Sequence, residues 1–326
     1  MRRVVALLAA AALSLAPIAC GDDGGAEPGA SSEATLVLDF TPNAVHSGIY
    51  AALADGEYDR QGIALEVREP SASTDAPKLL EAGRADFAIL DIHDLAIARE
   101  RGFDIVGITA IVQRPLAAVI ARDRDAVRTP ADLEGRTVGV TGLPSDDAVL
   151  DSVLQAGGAD PEAVKRTTIG FEAVAALGAG RLDAATAFWN AEGVLLRRQG
   201  VPTREFRVDE FGAPRYPELV IATSAQTLAE RPELVQGMVT ATGRGYGSVL
   251  DEPEGALGAM TDAVPGLDRG EQRAQLEALL EADALGSGTG LDRHVLQAWA
   301  RWDARHGVVS EPPRVEDAFA LDATAD

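Results

Sequence analysis

The sequence has very few of the residues on which several common functions depend. Its 326 residues include one cysteine, Cys20, so an intramolecular disulfide cannot form. Lys78 and Lys165 are the only lysines, and 51 acidic residues outnumber 29 Lys and Arg. The formal net charge of −22 argues against nucleic acid as a partner, because so negative a surface repels phosphate backbones.

Motifs typical of hydrolases and metalloenzymes are also missing. The four histidines show neither H-x-x-x-H nor H-E-x-x-H spacing, and no G-x-S-x-G segment occurs. The sequence therefore predicts no catalytic residue, no metal site and no cofactor, and we do not expect an enzyme.

Residues 1–20 resemble a bacterial lipoprotein signal peptide. A short basic start precedes an apolar run at 4–16, which is too short to span a membrane, and a small residue precedes Cys20. The alternative is an ordinary secretory signal with an incidental cysteine. Residues 21–33 read GDDGGAEPGASSE, the composition of a flexible linker. Acylation of Cys20 would anchor the protein to the outer face of the membrane.

Strand and helix patterns alternate from residue 35 onward and predict an α/β fold with mainly parallel sheets. The predicted strands are 35–40, 63–69, 87–90, 105–112, 117–122, 136–142, 167–170, 184–188 and 219–224. The rhythm restarts at residue 117, and proline-containing crossings are predicted near 113–117 and 214–219. We therefore predict two α/β lobes, one from 34–115 and 217–326 and the other from 116–216. Two lobes joined by two crossings form a hinged clamp with a ligand cleft between them.

Candidate ligand-binding residues follow the predicted strands, where open α/β sheets bind ligands, and one more, Tyr216, lies at the return crossing. They are Phe40, Asn43, His46, Asp91, His93, Ser145, Trp189, Asn190, Glu192 and Tyr216. Aromatic faces stack on flat rings, and carboxylates accept hydrogen bonds from amino-substituted heterocycles. An anionic solute would instead need Arg or a helix N-terminus, and Asp146 and Asp147 would repel it from the one helix start available.

Several of these residues have a structural alternative. Trp189 could belong to the core, and Asn43 could be a turn residue. His46 and His93 could each cap a helix, and Ser145 is the predicted N-cap of a helix over 146–157. Trp299 and Trp302, three residues apart on a C-terminal helix, are predicted to pack in the core.

Five segments together resemble the solute-binding proteins of importers for thiamine pyrimidine precursors. They are DFTPNAVHSGIY (39–50), ADFAILDIHDLAIARERG (85–102), TGLPSDDAVL (141–150), AFWNAEGV (187–194) and YPELVIATS (216–224). The resemblance covers about 35–310. It implies a type II periplasmic-binding-protein fold and delivery of an aminopyrimidine to an ABC permease. Phe40 stands where many relatives have Trp.

The resemblance also implies which residues act. Phe40, Asn43, Trp189 and Glu192 would contact the pyrimidine, with Asp91, His93 and Tyr216 nearby. We expect a membrane-anchored monomer that binds an aromatic heterocycle. Alternatives are a riboflavin, alkylsulfonate, taurine or nitrate binder, or a related pyrimidine synthase that needs a Schiff-base Lys. The position for that Lys holds Ile89, so no Schiff base can form there.

Overall fold

The computed structural model describes residues 31–70, 75–123, 127–288 and 290–321. The predicted signal peptide and Cys20 lie outside the described residues, as does most of the predicted linker. Two five-stranded sheets organise the described chain. No helix within these ranges is long and apolar enough to cross a membrane.

The first sheet has the strand order β2-β1-β3-β10-β4. Its strands are β1 (Ser32–Val37), β2 (Ile63–Arg68), β3 (Phe87–Asp91), β4 (Ile105–Val112) and β10 (Leu219–Ser224). Strand β1 pairs in parallel with β2 and β3, whereas β10 runs antiparallel to both β3 and β4.

The second sheet has the order β7-β6-β8-β5-β9. Its strands are β5 (Ala117–Arg122), β6 (Thr137–Val140), β7 (Lys165–Thr168), β8 (Ala184–Phe188) and β9 (Thr203–Arg207). Here β6 is parallel to β7 and β8, and β5 is antiparallel to β8 and β9.

Each sheet is therefore mixed, but four of its five strands point the same way, which agrees with the prediction of mainly parallel sheets. The strand that immediately follows a crossing, β5 in one sheet and β10 in the other, inserts antiparallel to its neighbours. All five strands of the second sheet lie between β4 and β10 in the chain. The exact lobe boundaries stay a prediction.

Thirteen α-helices of the described residues pack around these sheets. They are α1 (Ser47–Ala54), α2 (Glu57–Arg60), α3 (Ala76–Glu81), α4 (Ile92–Glu100), α5 (Pro144–Ala156), α6 (Ala173–Gly178), α7 (Glu192–Arg198), α8 (Ala225–Glu230), α9 (Pro232–Asp251), α10 (Pro253–Ala263), α11 (Arg269–Glu281), α12 (Arg293–Arg305) and α13 (Val315–Ala318). Trp299 and Trp302 of α12 are buried, as predicted.

Helices α1 and α9 approach closely because glycine lies at their contact. A Cβ on Gly245 would stand 2.1 Å from the carbonyl oxygen of Gly48, and a Cβ on Gly48 would meet the ring of Tyr246 at 2.5 Å. The Tyr246 hydroxyl donates to the carbonyl oxygen of Val45 at 2.6 Å. This packing explains the glycine in the segment 39–50 and fixes the loop after β1.

Candidate functional site

A cavity of about 530 Å³ lies where strand ends of the two sheets face each other. The loop after β1 and the end of β3 supply one side, and the segments after β6, β7 and β8 supply the other. Six of the predicted site residues line it: Phe40, Asn43, Asp91, Ser145, Asn190 and Glu192. The remaining four, His46, His93, Trp189 and Tyr216, are not part of its wall.

His46 does not line the cavity, but it forms hydrogen bonds to two residues that do, Asp39 and Asn43. Its Nε2 lies 2.8 Å from the Asp39 carboxylate, and its Nδ1 accepts from the backbone N–H of Asn43 at 3.1 Å. The Asn43 side chain in turn accepts from Val45 N–H at 3.2 Å. Nδ1 of His46 therefore helps to cap the short helical turn after β1 and Nε2 is occupied by Asp39, so we do not retain His46 as a ligand contact.

Trp189 directly follows β8, is fully buried, and forms hydrogen bonds to the first crossing. Its indole N–H donates to the carbonyl oxygen of Pro115 at 2.9 Å, and its backbone N–H donates to Leu116 at 3.0 Å. The Arg207 guanidinium lies 4.1 Å from the ring centroid on one face. The predicted stacking of Trp189 on a ligand is corrected, because none of its surface is exposed to the cavity.

Tyr216 and His93 belong to a buried cluster beneath the cavity. Tyr216 is fully buried, and its ring packs edge-on against His93 with centroids 4.9 Å apart. His93 Nδ1 lies 2.7 Å from an Asp303 oxygen. Neither side chain reaches the cavity, so their predicted direct contact with ligand is corrected.

Ser145 lines the cavity but does not cap a helix, which corrects its predicted N-cap role. Helix α5 begins two residues earlier than predicted, at Pro144, and Leu143 occupies the N-cap. Proline suits the first helical position because its missing N–H would have no partner there. Asp146 instead accepts from Thr141 N–H at 2.8 Å and steadies the turn.

Two exposed phenylalanines form an aromatic pair in the cavity wall. Phe40 follows β1 and Phe171 follows β7, and their ring centroids are 5.8 Å apart. Their exposed fractions, 42% and 57%, are high for side chains of this size. Sequence reasoning missed Phe171, although it follows a predicted strand end as the chosen residues do.

Glu192 combines a structural bond with a position on the cavity wall. Its Oε2 accepts from the backbone N–H of Phe188 at 3.0 Å at the start of α7. Burial raises the pKa of the Glu192 carboxyl, although backbone hydrogen bonds oppose the rise. The carboxyl group can accept a further hydrogen bond from a molecule in the cavity.

Three buried amide side chains of the wall have oxygens without a partner among the described residues. They belong to Asn190, which follows β8, and to Gln272 and Gln275 of α11. The Gln275 Nε2 donates to Glu271 at 3.2 Å, which leaves its oxygen as the available group. Buried polar atoms are normally hydrogen-bonded, so these three acceptors favour a donor-rich ligand. Sequence reasoning missed both glutamines, because α11 is remote in the chain from the strand ends.

The wall carries six carboxyl groups. They belong to Asp39, Asp91, Asp94, Asp146, Glu192 and Glu271, whereas no Arg, Lys or His of the described residues lines the cavity. Burial and the nearby Asp91 raise the pKa of Asp94 to about 7. Burial likewise raises the pKa of Asp91, which lies beside Glu218. The site therefore favours ligands that donate hydrogen bonds or carry positive charge.

The fold is that of the periplasmic binding proteins. The structure of the periplasmic aliphatic sulphonate binding protein SsuA from Escherichia coli superposes with a TM-score of 0.71 at 14% identity, over 88% of this chain and 91% of that one. The predicted two-lobed, type II fold class is confirmed.

The chain belongs to the NMT1/THI5 like family, whose pattern matches residues 43–256. The formylaminopyrimidine-binding protein of Halalkalibacterium halodurans is 28% identical over 92% of this chain and 93% of that protein. Riboflavin-binding protein RibY of Chloroflexus aurantiacus is 28% identical over 88% and 84%. A 4-amino-5-hydroxymethyl-2-methylpyrimidine phosphate synthase of Legionella pneumophila is 26% identical over 72% and 75%. The predicted family resemblance is confirmed.

Proposed function

We propose that this protein is the extracytoplasmic solute-binding component of an ABC importer and that it binds an aminopyrimidine precursor of thiamine. The observation that carries the proposal is the set of acceptors in the cavity wall, six carboxyl groups and three unpartnered amide oxygens. An amino-substituted, easily protonated ring supplies the matching donors.

The aromatic pair suits a flat ligand. Phe40 and Phe171 come from the two facing sides of the cavity and present exposed rings. A planar heterocycle that lies against both gains stacking and buried apolar area. Glu192 and Asn190 then accept from its amino and ring N–H groups, with Asn43 and Ser145 at the edge of the site.

Binding would work by closure of the clamp. Because the wall is assembled from both sheets, a ligand that touches both sides stabilises the closed arrangement relative to an open one. A permease that recognises the closed form would then receive loaded protein. In this proposal the protein acts as a monomer, and acylated Cys20 with the 21–33 linker holds it at the outer face of the membrane.

A ligand screen tests the solute. Purified protein is examined by thermal shift and calorimetry with N-formylated and free aminopyrimidines, riboflavin, taurine and nitrate, because a ligand of the native state raises its stability. We expect stabilisation by aminopyrimidines and none by nitrate or by taurine, whose sulfonate group would face the carboxyl groups of the wall. Selective binding of taurine or nitrate would overturn the proposal. Preference for riboflavin would establish the riboflavin alternative, which the cavity volume and the similarity to RibY support.

A synthase would need a lysine amine in the cavity to form a Schiff base, and no Lys of the described residues lines the cavity. Ile89 lies in the cavity wall where a Schiff-base lysine would be needed. Lys78 and Lys165 lie on α3 and β7, and neither lines the cavity. Incubation with pyridoxal phosphate should therefore give no imine absorbance; a band abolished by Lys78→Ala or Lys165→Ala would favour the enzyme.

A further inference from the structure

The cluster beneath the cavity gathers groups that are far apart in the sequence. One ring nitrogen of His93 and one carboxylate oxygen each of Asp91 and Glu218 lie within 4.8 Å of one another. Asp91 ends β3, His93 lies in the first turn of α4, and Glu218 precedes β10. Sequence spacing gave no sign of this grouping, because the third member comes from the return crossing.

The hydrogen bonding of His93 is one-sided. Its Nδ1 lies 2.7 Å from an Asp303 carboxylate oxygen, to which it can donate a hydrogen bond, and the Trp299 indole nitrogen lies 3.3 Å from the same atom. Its Nε2 is buried and has no hydrogen-bond partner among the described residues. Since the side chain is 2% exposed, water outside the protein cannot satisfy this nitrogen.

A carboxylate on the far nitrogen is the usual support of a metal-binding histidine. The Asp303 carboxyl at Nδ1 fixes the ring orientation and tautomer and leaves Nε2 to bind an ion. In contrast, His46 also contacts a carboxylate, that of Asp39, but its second nitrogen is already occupied by Asn43 N–H. A metal ligand needs a ring nitrogen that no other group occupies. Among the described residues His93 has no hydrogen-bond partner at Nε2, whereas both nitrogens of His46 have one.

The cluster also has an excess of negative groups. Asp91, Glu218 and Asp303 surround one imidazole, and no Lys or Arg of the described chain is ion-paired with any of the three. The backbone N–H of His93 donates to Asp91 at 2.7 Å and that of Leu116 donates to Glu218 at 2.5 Å. A divalent ion would add a full positive charge to this partial compensation. Because Asp91 also lines the cavity, an ion could enter from there.

We propose that Asp91, His93 and Glu218 form a binding site for a divalent transition-metal ion at the base of the cavity. One imidazole with two carboxylates is a donor set suited to Zn²⁺, Mn²⁺ or Fe²⁺. Bonds of about 2.0–2.2 Å place the donors of a tetrahedral ion about 3.3–3.6 Å apart, so these side chains would have to move inward by roughly 1 Å to bind it. Asp303 is a positioning residue that acts through His93.

Titration of tag-free protein with Mn²⁺ and Zn²⁺ after chelator treatment tests the site. Calorimetry should show one ion bound per chain, and Glu218→Gln and His93→Gln should each weaken binding by at least about tenfold. The matched control His46→Gln should leave metal affinity unchanged. The pyrimidine is absent from this experiment, so its outcome is independent of the proposed function.

If the site variants fail to fold, a spectroscopic measurement on the wild-type protein tests the same site. In wild-type protein with ¹⁵N-labelled histidine, bound Mn²⁺ should show hyperfine coupling to one imidazole nitrogen, and the coupling should persist in His46→Gln. Absence of one-to-one binding, absence of nitrogen coupling, or wild-type metal affinity in both site variants would each overturn the proposal.

Discussion

Phe40 and Phe171 meet across the cavity with their ring centroids 5.8 Å apart and their planes inclined by 42°. The two rings belong to loops that follow strands of different sheets. The distance between the two rings therefore depends on how close the two sides of the cavity lie to each other.

Replacing either ring should weaken ligand binding. Phe171→Ala removes one stacking face, and we expect a loss of about 1 kcal/mol or more in binding free energy by calorimetry. Leu250→Ala is the matched control, because Leu250 is also a large apolar residue with 42% exposure but lies outside the cavity. Equal affinities of wild type and Phe171→Ala would contradict the assigned role.

Glu192→Gln should weaken binding of an aminopyrimidine by about 1–3 kcal/mol, because a charge-assisted hydrogen bond is replaced by a neutral one. The glutamine oxygen can still accept from Phe188 N–H, so the start of α7 is preserved. Glu172→Gln removes an exposed carboxylate that does not line the cavity and serves as the control. A similar loss in both variants would point to general electrostatics instead.

Glu192→Gln, which should weaken ligand binding, should increase the free energy of unfolding at neutral pH relative to wild type. Burial raises the folded-state pKa of Glu192, so the folded protein holds this proton more tightly than the unfolded chain. The contribution of Glu192 to the free energy of unfolding therefore falls as pH rises from about 4.3 through the raised value.

Denaturant titrations of wild type and Glu192→Gln at several pH values check this sign. The variant should gain stability relative to wild type as pH rises, and the difference should become independent of pH below about 4. A difference that grows toward low pH would show that the carboxylate is stabilised in the folded state.

Trp189→Phe should reduce the free energy of unfolding by about 1–3 kcal/mol, because the buried carbonyl of Pro115 loses its indole donor. Affinity measured on the folded protein should stay within about twofold of wild type, since the ring is not exposed to the cavity. Undiminished stability together with lost affinity would restore Trp189 as a ligand contact.

Gly245→Ala should destabilise the protein by at least about 1–3 kcal/mol, because the added methyl group would collide with the backbone of Gly48. Gly247→Ala on the same helix is the control. Its Cβ would meet nothing closer than 3.8 Å, so helix propensity should make it neutral or stabilising by up to about 1 kcal/mol. Chemical denaturation of both variants separates packing from propensity.

Local patterns predicted most of the strands but could not predict which ends meet. The strands at 105–112, 117–122, 184–188 and 219–224 lie as predicted, because apolar runs bounded by turns define buried strands. Strand β9 escaped notice, since TREFR lacks an apolar run. The antiparallel insertion of β10 depends on the path of the chain through the other sheet, which no local window contains.

The site was predictable only in part for the same reason. Asn190 and Glu192 were identified because they follow a strand, but the same rule wrongly selected Trp189, whose side chain turns to Pro115. Gln272 and Gln275 come from a helix that sequence analysis assigned no role. Tertiary packing decides which polar groups of a helix face a cavity, and amphipathic periodicity does not distinguish them.

The six carboxyl groups of the wall have a consequence for the form in which a solute can bind. A phosphate ester would bring two further negative charges close to these groups, and no Arg, Lys or His of the described residues lines the cavity to offset them. The protein should therefore collect the free alcohol or amine and reject its phosphorylated counterpart, which leaves attachment of the phosphate to a kinase acting after import.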